Sequence, residues 1–233
     1  MIAWLDDSNR FPPLQHAMVE PNGLLAAGGD LTPQRLLAAY HQGIFPWYMP
    51  GEPILWWSPN PRMVLMPPDL HVPGSLAKTL RNKPYRVTFD LVFDEVINGC
   101  ASPRRGENLT WISQEIRDGY GALYRLGYAH SAECWMDDEL VGGLYGVAIG
   151  NMFYGESMFA RRPDASKLAF VHLVRYLHQH GFGMIDCQMH TEHLARFGAN
   201  EIDRDQFARK LAELVIAPRA PAHWQYDFHN PGS

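Results

Sequence analysis

The sequence has few cysteines and no long apolar run. No stretch approaches the roughly 18 apolar residues that a membrane-spanning helix needs. The first residues, MIAWLDDSNRFPPLQ, place acidic side chains where a secretion signal has a basic start and an apolar segment. Cys100, Cys134 and Cys187 are odd in number and widely spaced, which indicates reduced thiols rather than a disulfide framework. We therefore expect a cytoplasmic protein with no membrane partner.

Excess positive charge is also lacking. The formal net charge is −5 at pH 7, which argues against a protein that coats nucleic acid nonspecifically. Local basic clusters remain, and each is either a solvated surface or a set of phosphate contacts. These clusters are Arg81 with Lys83 and Arg86, Arg104 with Arg105, and Arg161 with Arg162 and Lys167.

Signatures of covalent and metal-dependent catalysis are missing. The chain has no Gly-x-Ser-x-Gly elbow, and Cys187 lies beside Asp186, whose charge disfavours a thiolate. Cys187, His190 and His193 in DCQMHTEH suggest a metal site, but their spacing fits neither structural zinc patterns nor His-Glu-x-x-His. With 11 histidines in the chain, such coincidences are expected. The sequence predicts neither a metal nor a cofactor.

The composition changes near residue 64. Residues 1–64 are dense in Gly, Pro and aromatic residues and are predicted to form a small domain of turns, short strands and one clear helix. In that helix Thr32 suits the N-cap, Pro33 the first helical position and Gly43 the end. Residues 65–233 show regular strand and helix patterns and are predicted to form the second domain.

The second domain is predicted to be a mixed α/β layer structure. Its predicted order is strand, helix, helix, three-strand meander, long helix, strand and helix. The segments are PYRVTFDL, LVFDEVINGC, ISQEIRDGYGALYRLG, AHSAECWM, DELVGGLYGVAIG, NMFYGESMF, ARRPDASKLAFVHLVRYLHQHG, GMIDCQ, TEHLARFG and DRDQFARKLAELV. The tail APRAPAHWQYDFHNPGS is predicted to be irregular.

This order resembles the acyl-CoA N-acyltransferase (GNAT-like) fold. In that fold two neighbouring central strands splay apart and the acyl donor enters the gap; by order, they are residues 152–159 and 183–188 here. Acyl-CoA transferases normally carry Arg/Gln-x-x-Gly-x-Gly/Ala between the meander and the long helix, where backbone N–H groups hold the pyrophosphate. Residues 161–166 lack those glycines, and Pro163 removes a donor. The acyl donor is therefore predicted to be something other than acyl-CoA.

Alternation along the two splayed strands brings polar side chains together. The residues predicted to share a face are Tyr154, Glu156 and Met158 on the first strand, and Met184, Asp186 and Gln188 on the second. Gly155 is the position where a bulge would change this phase. An unpaired carboxylate at Glu156, inside the run GNMFYGESMF, would be costly, so we expect it to be paired, protonated, hydrated or placed to meet a polar ligand.

A series of motifs resembles the bacterial leucyl/phenylalanyl-tRNA–protein transferases over nearly the whole chain. The motifs are EPNGLLAAGGDL, GIFPWY, ILWWSPNPR, Thr110-Trp111-Ile112, ELVGGLYGVAIGNMFYGESMF, Ala165-Ser166-Lys167 and IDCQ. The resemblance implies a small N-terminal α+β domain beside a GNAT-like domain. It implies transfer of Leu, Phe or, less readily, Met from aminoacyl-tRNA to the α-amine of proteins beginning with Arg or Lys, which marks them for N-end rule degradation. We expect a monomer, because no large apolar stripe is left over.

The same resemblance implies a reaction centre. Asp186 and Gln188 of IDCQ lie there, with Gln188 receiving the proton and Asp186 polarising it. Because a carboxamide oxygen is a very poor base, we expect Gln188 to orient the substrates instead, with the terminal ribose hydroxyl relaying the proton. The resemblance places Glu156 at the donor amino-acid site, where it meets the ammonium group or fixes its polar neighbours.

The resemblance also implies two binding surfaces. Residues expected at the donor side-chain pocket are Phe153, Gly155, Met158, Phe170, Leu173 and Ile185, with Leu144 as a further candidate. Trp47 and Trp111 are expected to hold the 3′-terminal adenosine, with Tyr40 and Tyr120 nearby. Trp56 and Trp57 are more typical of structural tryptophans.

Three other functions compete with this one. A CoA-dependent N-acyltransferase is the main enzyme alternative, and the missing pyrophosphate loop disfavours it. A Fem-type aminoacyltransferase uses the same donor class, but such chains are longer and carry a duplicated domain. A single-stranded RNA-binding module would not need the convergent Glu156, Asp186 and Gln188.

Overall fold

The computed structural model of the chain describes residues 2–102 and 110–232. Arg104 and Arg105, a candidate basic cluster, lie outside these residues. The first described elements are β1 (Ala3–Leu5), β2 (Leu24–Gly28), α1 (Pro33–Tyr40), β3 (Phe45–Pro46), β4 (Leu55–Trp57), β5 (Arg62–Leu65), α2 (Gly74–Asn82), β6 (Tyr85–Phe89) and α3 (Phe93–Ala101). The others are α4 (Gln114–Arg125), β7 (Ala129–Met136), β8 (Glu139–Ile149), β9 (Met152–Ala160), α5 (Ala165–Gln179), β10 (Met184–Gln188), α6 (Glu192–Ala195), β11 (Asn200–Ile202), α7 (Arg204–Leu214) and β12 (Tyr226–Asn230).

The N-terminal part forms a four-stranded sheet in the order β1-β2-β4-β3. Strand β1 is parallel to β2, and β4 is antiparallel to β2 and β3. Helix α1 begins as the sequence predicted: the Thr32 hydroxyl accepts a hydrogen bond from the Arg35 N–H, and Pro33 is the first helical residue. Gly43 follows the helix with a φ of 73°, a conformation that glycine adopts at little cost.

The remaining strands form a mixed eight-stranded sheet in the order β11-β5-β10-β9-β8-β7-β6-β12. Strands β7, β8 and β9 are the predicted meander, and the turn between the first two uses Asp137 and Asp138 with φ values of 53° and 60°. Helices α2 and α5 pack on one face, while α3, α4 and the small sheet pack on the other. This layered arrangement confirms the predicted mixed α/β class.

Strands β9 and β10 separate part-way along their length. Their parallel pairing begins with Met184 opposite Met152 and ends with Asp186 opposite Tyr154. Beyond that pair, β10 continues antiparallel to β5 with a register shift between Asp186 and Gln188. The predicted splaying of these two strands is therefore present.

A bulge in β9 changes which side chains share a face. Gly155 and Ser157 pair with consecutive residues of β8, so Glu156 is an extra residue in the strand. Tyr154 packs in the core on the α3 side, whereas Met158 packs on the α5 side. The prediction that Tyr154, Glu156 and Met158 share one face is wrong for Met158, because the bulge shifts the alternation by one residue.

Several elements differ from those predicted. The tail is not irregular throughout, since β12 pairs antiparallel with β6, and Tyr226 stacks on Phe89 at 4.3 Å between ring centroids. Helix α2 was not predicted, and α5 begins at Ala165 rather than at the preceding arginines. The predicted domain boundary after residue 64 falls inside β5, which belongs to the large sheet. None of the helices in the described ranges is long and apolar enough to cross a bilayer.

Candidate active site

A cavity of about 390 Å³ lies where β9 and β10 diverge. Its wall combines apolar and aromatic side chains with a few polar groups, as small-molecule sites usually do. The lining residues are Phe45, Trp47, Trp111, Leu144, Tyr145, Phe153, Gly155, Glu156, Ser157, Met158, Phe170, Ile185, Asp186, Cys187, Gln188, Met189, Thr191, His193 and Leu194.

Most of the site residues predicted from the sequence line this cavity. They are Trp47, Trp111, Phe153, Gly155, Glu156, Met158, Phe170, Ile185, Asp186 and Gln188, together with the further candidate Leu144. Leu173 does not line it, because its side chain is buried in the core beneath α5. Tyr40 and Tyr120 do not line it either; both are buried on the α3 side of the sheet, behind Glu156.

Glu156 is the centre of a hydrogen-bond network. Tyr40 donates to its Oε1 at 2.7 Å, Tyr120 donates to its Oε2 at 2.9 Å, and Gln188 Nε2 donates to Oε1 at 3.1 Å. The two tyrosine hydroxyls also hydrogen-bond to each other. Desolvation raises the pKa of Glu156 to about 7, although the hydrogen bonds from both tyrosines oppose this change. Of the alternatives considered for this carboxylate, the structure shows it bound to polar neighbours by hydrogen bonds.

Asp186 forms a buried ion pair that was not predicted from the sequence. Arg62 donates from Nε to Oδ1 at 2.8 Å and from Nη2 to Oδ2 at 2.6 Å. Each side chain is only 1% exposed. Because a buried carboxylate requires a cation or several donors, a buried Asp186 must have a partner. The sequence does not show that this partner is Arg62, the last residue of the motif ILWWSPNPR and the first residue of β5.

Gln188 ends β10 with a left-handed backbone. Its φ is 64°, and its N–H donates to Asp186 Oδ1 at 2.8 Å. The contact that links Asp186 to Gln188 is therefore made through the backbone, while the carboxamide of Gln188 reaches Glu156. A left-handed conformation is costly for a residue with a Cβ, by roughly 1–2 kcal/mol, so the surrounding contacts must stabilise it.

The tryptophans divide into two groups. Trp47 lines the cavity and is 39% exposed, and Trp111 lines it as well. Trp56 is fully buried, contacts Phe11 edge-on and donates from Nε1 to the Gly28 carbonyl at 2.9 Å, so the structural interpretation of this residue is confirmed. Trp57 supports Trp47, because its Nε1 donates to the Trp47 carbonyl at 2.6 Å.

Some of the candidate basic side chains already have partners within the protein. These partners are Asp137 and Glu139 for Arg162, Asp164 for Lys167, Asp227 for Arg86, and the Leu140 carbonyl for Arg161. Arg81 and Lys83 make no ion pair with another residue of the described ranges. They are the better candidates for binding phosphate.

The loop after β10 supplies residues that sequence reasoning missed. Met189, Thr191, His193 and Leu194 line the cavity. No periodic pattern marks a short loop followed by a single helical turn, so their position depends on the fold. Cys187 and His193, whose spacing in the sequence suggested a metal site, both line the cavity. Burial raises the pKa of the Cys187 thiol.

The parallel strands β9 and β10 part after Asp186, and the Glu156 carboxylate and Gln188 carboxamide lie at the opening. This is the strand arrangement that the sequence predicted for an N-acyltransferase-like fold. The family model described as "Leucyl/phenylalanyl-tRNA protein transferase" matches residues 64–212, and the model of its N-terminal domain matches residues 29–60.

Relatives named leucyl/phenylalanyl-tRNA–protein transferase align with nearly the whole chain, and two of them serve as examples. The protein of Laribacter hongkongensis is 56% identical over 99% of both chains, and that of Chromobacterium violaceum is 58% identical over 100% of both. A solved GCN5-related N-acetyltransferase from Kribbella flavida is 14% identical over 84% of this chain and 63% of its own, with a TM-score of 0.35. This chain belongs to the leucyl/phenylalanyl-tRNA protein transferase family and is an aminoacyltransferase, as the sequence predicted.

Proposed function

We propose that the enzyme transfers Leu or Phe, and less readily Met, from aminoacyl-tRNA to the α-amine of proteins that begin with Arg or Lys, marking them for degradation. The observation that supports this proposal is that apolar side chains, Glu156 and Gln188 line the same cavity. We keep the expectations that the enzyme is a cytoplasmic monomer and uses no cofactor.

The apolar part of the cavity fits the donor side chain. Phe153, Met158, Phe170 and Ile185 lie on its wall, with Leu144 beside them. Such a wall selects unbranched-Cβ apolar groups by shape, but a misplaced methyl group changes binding by only about 1–3 kcal/mol. Met side chains also adapt to different neighbours. Some transfer of Met is therefore expected beside Leu and Phe.

Glu156 suits the α-ammonium group of the donor. A neighbouring cation favours the ionised carboxylate, so a bound ammonium lowers the pKa of Glu156 from its value near 7 in the free enzyme. Tyr40 and Tyr120 hold the carboxylate oxygens in place from behind. The cavity thus binds the donor at both its side chain and its ammonium group.

The chemical step needs little more than orientation. The aminoacyl ester is already activated, and a peptide α-amine ordinarily has a pKa near ~7.7–8.0, so a useful fraction of the acceptor is neutral. Holding two reactants in register contributes up to roughly 7–11 kcal/mol to lowering the barrier. Gln188, fixed by Asp186 and Glu156, orients the amine for attack on the ester carbonyl. As the amide bond forms and the ester C–O bond breaks, the neighbouring ribose hydroxyl relays the amine proton to the departing ribose oxygen.

The mouth of the cavity fits the end of the tRNA. Trp47 and Trp111 offer flat faces on which the 3′-terminal adenosine stacks, and each stacked base contributes about 1–3 kcal/mol. We assign the acceptor-stem phosphates to Arg81 and Lys83, which make no ion pair within the described residues. Because phosphate contacts release counterions, the affinity for aminoacyl-tRNA falls steeply as salt is added.

Labelled Leu-tRNA and an acceptor protein beginning with Arg test this function. We expect label at the acceptor's N-terminus, and much less after RNase treatment of the donor, which removes the body of the tRNA. The matched control is the same acceptor beginning with Ala, which remains unlabelled. Equal labelling of both acceptors, or no labelling, contradicts the proposal. Thermal stabilisation by acetyl-CoA would favour the CoA-dependent alternative instead.

A further inference from the structure

Arg62 is held through its Nε, its Nη2 and the face of its guanidinium group, while its buried Nη1 has no hydrogen-bond partner among the described residues. Its two bonds to Asp186 form a bidentate pair, which holds a carboxylate in one orientation. Its guanidinium also lies over the rings of Phe45, at 4.8 Å, and Phe207, at 4.6 Å. Phe45 comes from the small sheet and Phe207 from α7, so three parts of the fold meet at this side chain.

Asp186 links Arg62 to Gln188, the last residue of β10, by hydrogen bonds. Its Oδ1 accepts from both Arg62 Nε and the Gln188 N–H, while its Oδ2 accepts from Arg62 Nη2. The backbone bond closes a short turn that keeps Gln188 left-handed at a φ of 64°. Because this turn breaks the strand alternation, the Gln188 carboxamide reaches Glu156 at 3.1 Å.

We propose that Arg62 is a positioning residue for acyl transfer: through Asp186 it sets the backbone of Gln188 and thereby aims the Gln188 carboxamide into the cavity. This inference rests on the proposed function for its kinetic consequence. In this arrangement Asp186 is an anchor rather than a proton acceptor, since both of its oxygens bind donors. Arg62 itself does not line the cavity.

Four variants test the proposal. Arg62→Met removes both hydrogen bonds to Asp186, and Arg62→Lys keeps the positive charge but cannot form the bidentate pair with the carboxylate. Asp186→Asn, alone and combined with Arg62→Met, completes a double-mutant cycle. Arg35→Met is the matched control, because Arg35 is equally buried but binds the Ser8 and Asp6 carbonyls and Asp30, away from the cavity.

The kinetic result separates positioning from a structural role. Since a misplacement of about 1 Å costs ~100-fold, Arg62→Lys is expected to lower kcat by about 10- to 100-fold with little change in the KM for aminoacyl-tRNA. When the losses of kcat in Arg62→Met and Asp186→Asn are expressed as free energies, they do not add up in the double variant. Arg35→Met lowers the melting temperature and leaves kcat unchanged. Equal kcat values for Arg62→Lys and the wild type, or additive losses, overturn the proposal.

Amide hydrogen exchange at Gln188 is a readout that does not depend on activity. The N–H of Gln188 is expected to exchange at least about tenfold faster in Arg62→Lys than in the wild type, and unchanged in Arg35→Met, because its protection reflects how often the bond to Asp186 opens. Unchanged exchange in Arg62→Lys overturns the proposal. If the wild type transfers no amino acid at all, the proposed function fails, and exchange alone then decides the role of Arg62.

Discussion

Replacing Glu156 by Gln removes the charge of a cavity carboxylate whose pKa is raised by burial. Desolvation raises that pKa to about 7 in the free enzyme. Glutamine keeps the size of the side chain and can still accept from Tyr40 or Tyr120, but it carries no charge at any pH. The variant therefore removes the charge that we assign to binding the donor ammonium and preserves most of the packing.

The expected magnitude follows from the ionised fraction. An acid with a pKa of about 7 is about one-tenth ionised at about pH 6 and about nine-tenths ionised at about pH 8. Because the raised pKa keeps Glu156 neutral at low pH, the binding-competent carboxylate appears as the pH rises. The ratio of kcat/KM for Leu-tRNA, wild type over Glu156→Gln, should increase about tenfold across this range.

Taking the ratio removes those titrations that affect the wild type and Glu156→Gln equally. The acceptor amine, with its ordinary pKa near ~7.7–8.0, affects both enzymes equally. The assay is initial-rate transfer of labelled Leu to an acceptor protein at several pH values, with Glu139→Gln as the control for loss of an exposed carboxylate outside the cavity. A ratio that stays flat with pH, or one that falls, refutes the role given to Glu156.

Three further changes test neighbouring parts of the account. Tyr120→Phe removes a hydrogen bond that lowers the pKa of Glu156, so the rising limb of the kcat/KM profile should move to higher pH; an unmoved limb contradicts the network. Glu133→Gln should stabilise the fold by about 1–3 kcal/mol at about pH 8 and hardly at all at about pH 5, as measured by urea unfolding. The sign follows because burial raises the pKa of Glu133 to about 7 from 4.5, so ionisation lowers the stability as the pH rises from 4.5 through about 7. A gain independent of pH would contradict this. Trp47→Ala should weaken binding of aminoacyl-tRNA by about 1–3 kcal/mol, whereas Trp4→Ala, at another exposed tryptophan, should not; equal losses would contradict stacking at the cavity.

The meander and the helix caps could be predicted because their signals are local. Thr32 caps α1 by accepting from the Arg35 N–H at 3.4 Å, as its position before Pro33 and an apolar helix indicated. Helix α2 was missed because only Leu76 of its residues is buried, which leaves no apolar stripe to detect. Strand β12 was missed because prolines precede it and its stability comes from β6.

The centre of the site depends on contacts that no local pattern encodes. Arg62 and Asp186 are 124 residues apart and meet only because β5 pairs with β10. The bulge that turns Glu156 toward Tyr40 and Tyr120 was anticipated at the neighbouring glycine, but its consequence for the faces of β9 required the register of β8. The convergence of polar groups was predictable; the partners that hold them were not.

The most direct test of the account is a crystal structure of the enzyme with a non-hydrolysable 3′-leucyl-adenosine analogue. We expect the leucyl side chain between Phe153 and Ile185, its ammonium group within hydrogen-bond distance of Glu156, and the adenine on Trp47 or Trp111. An analogue bound elsewhere, or a leucyl group pointing away from Glu156 and Gln188, would contradict the claim that this cavity holds the donor for transfer.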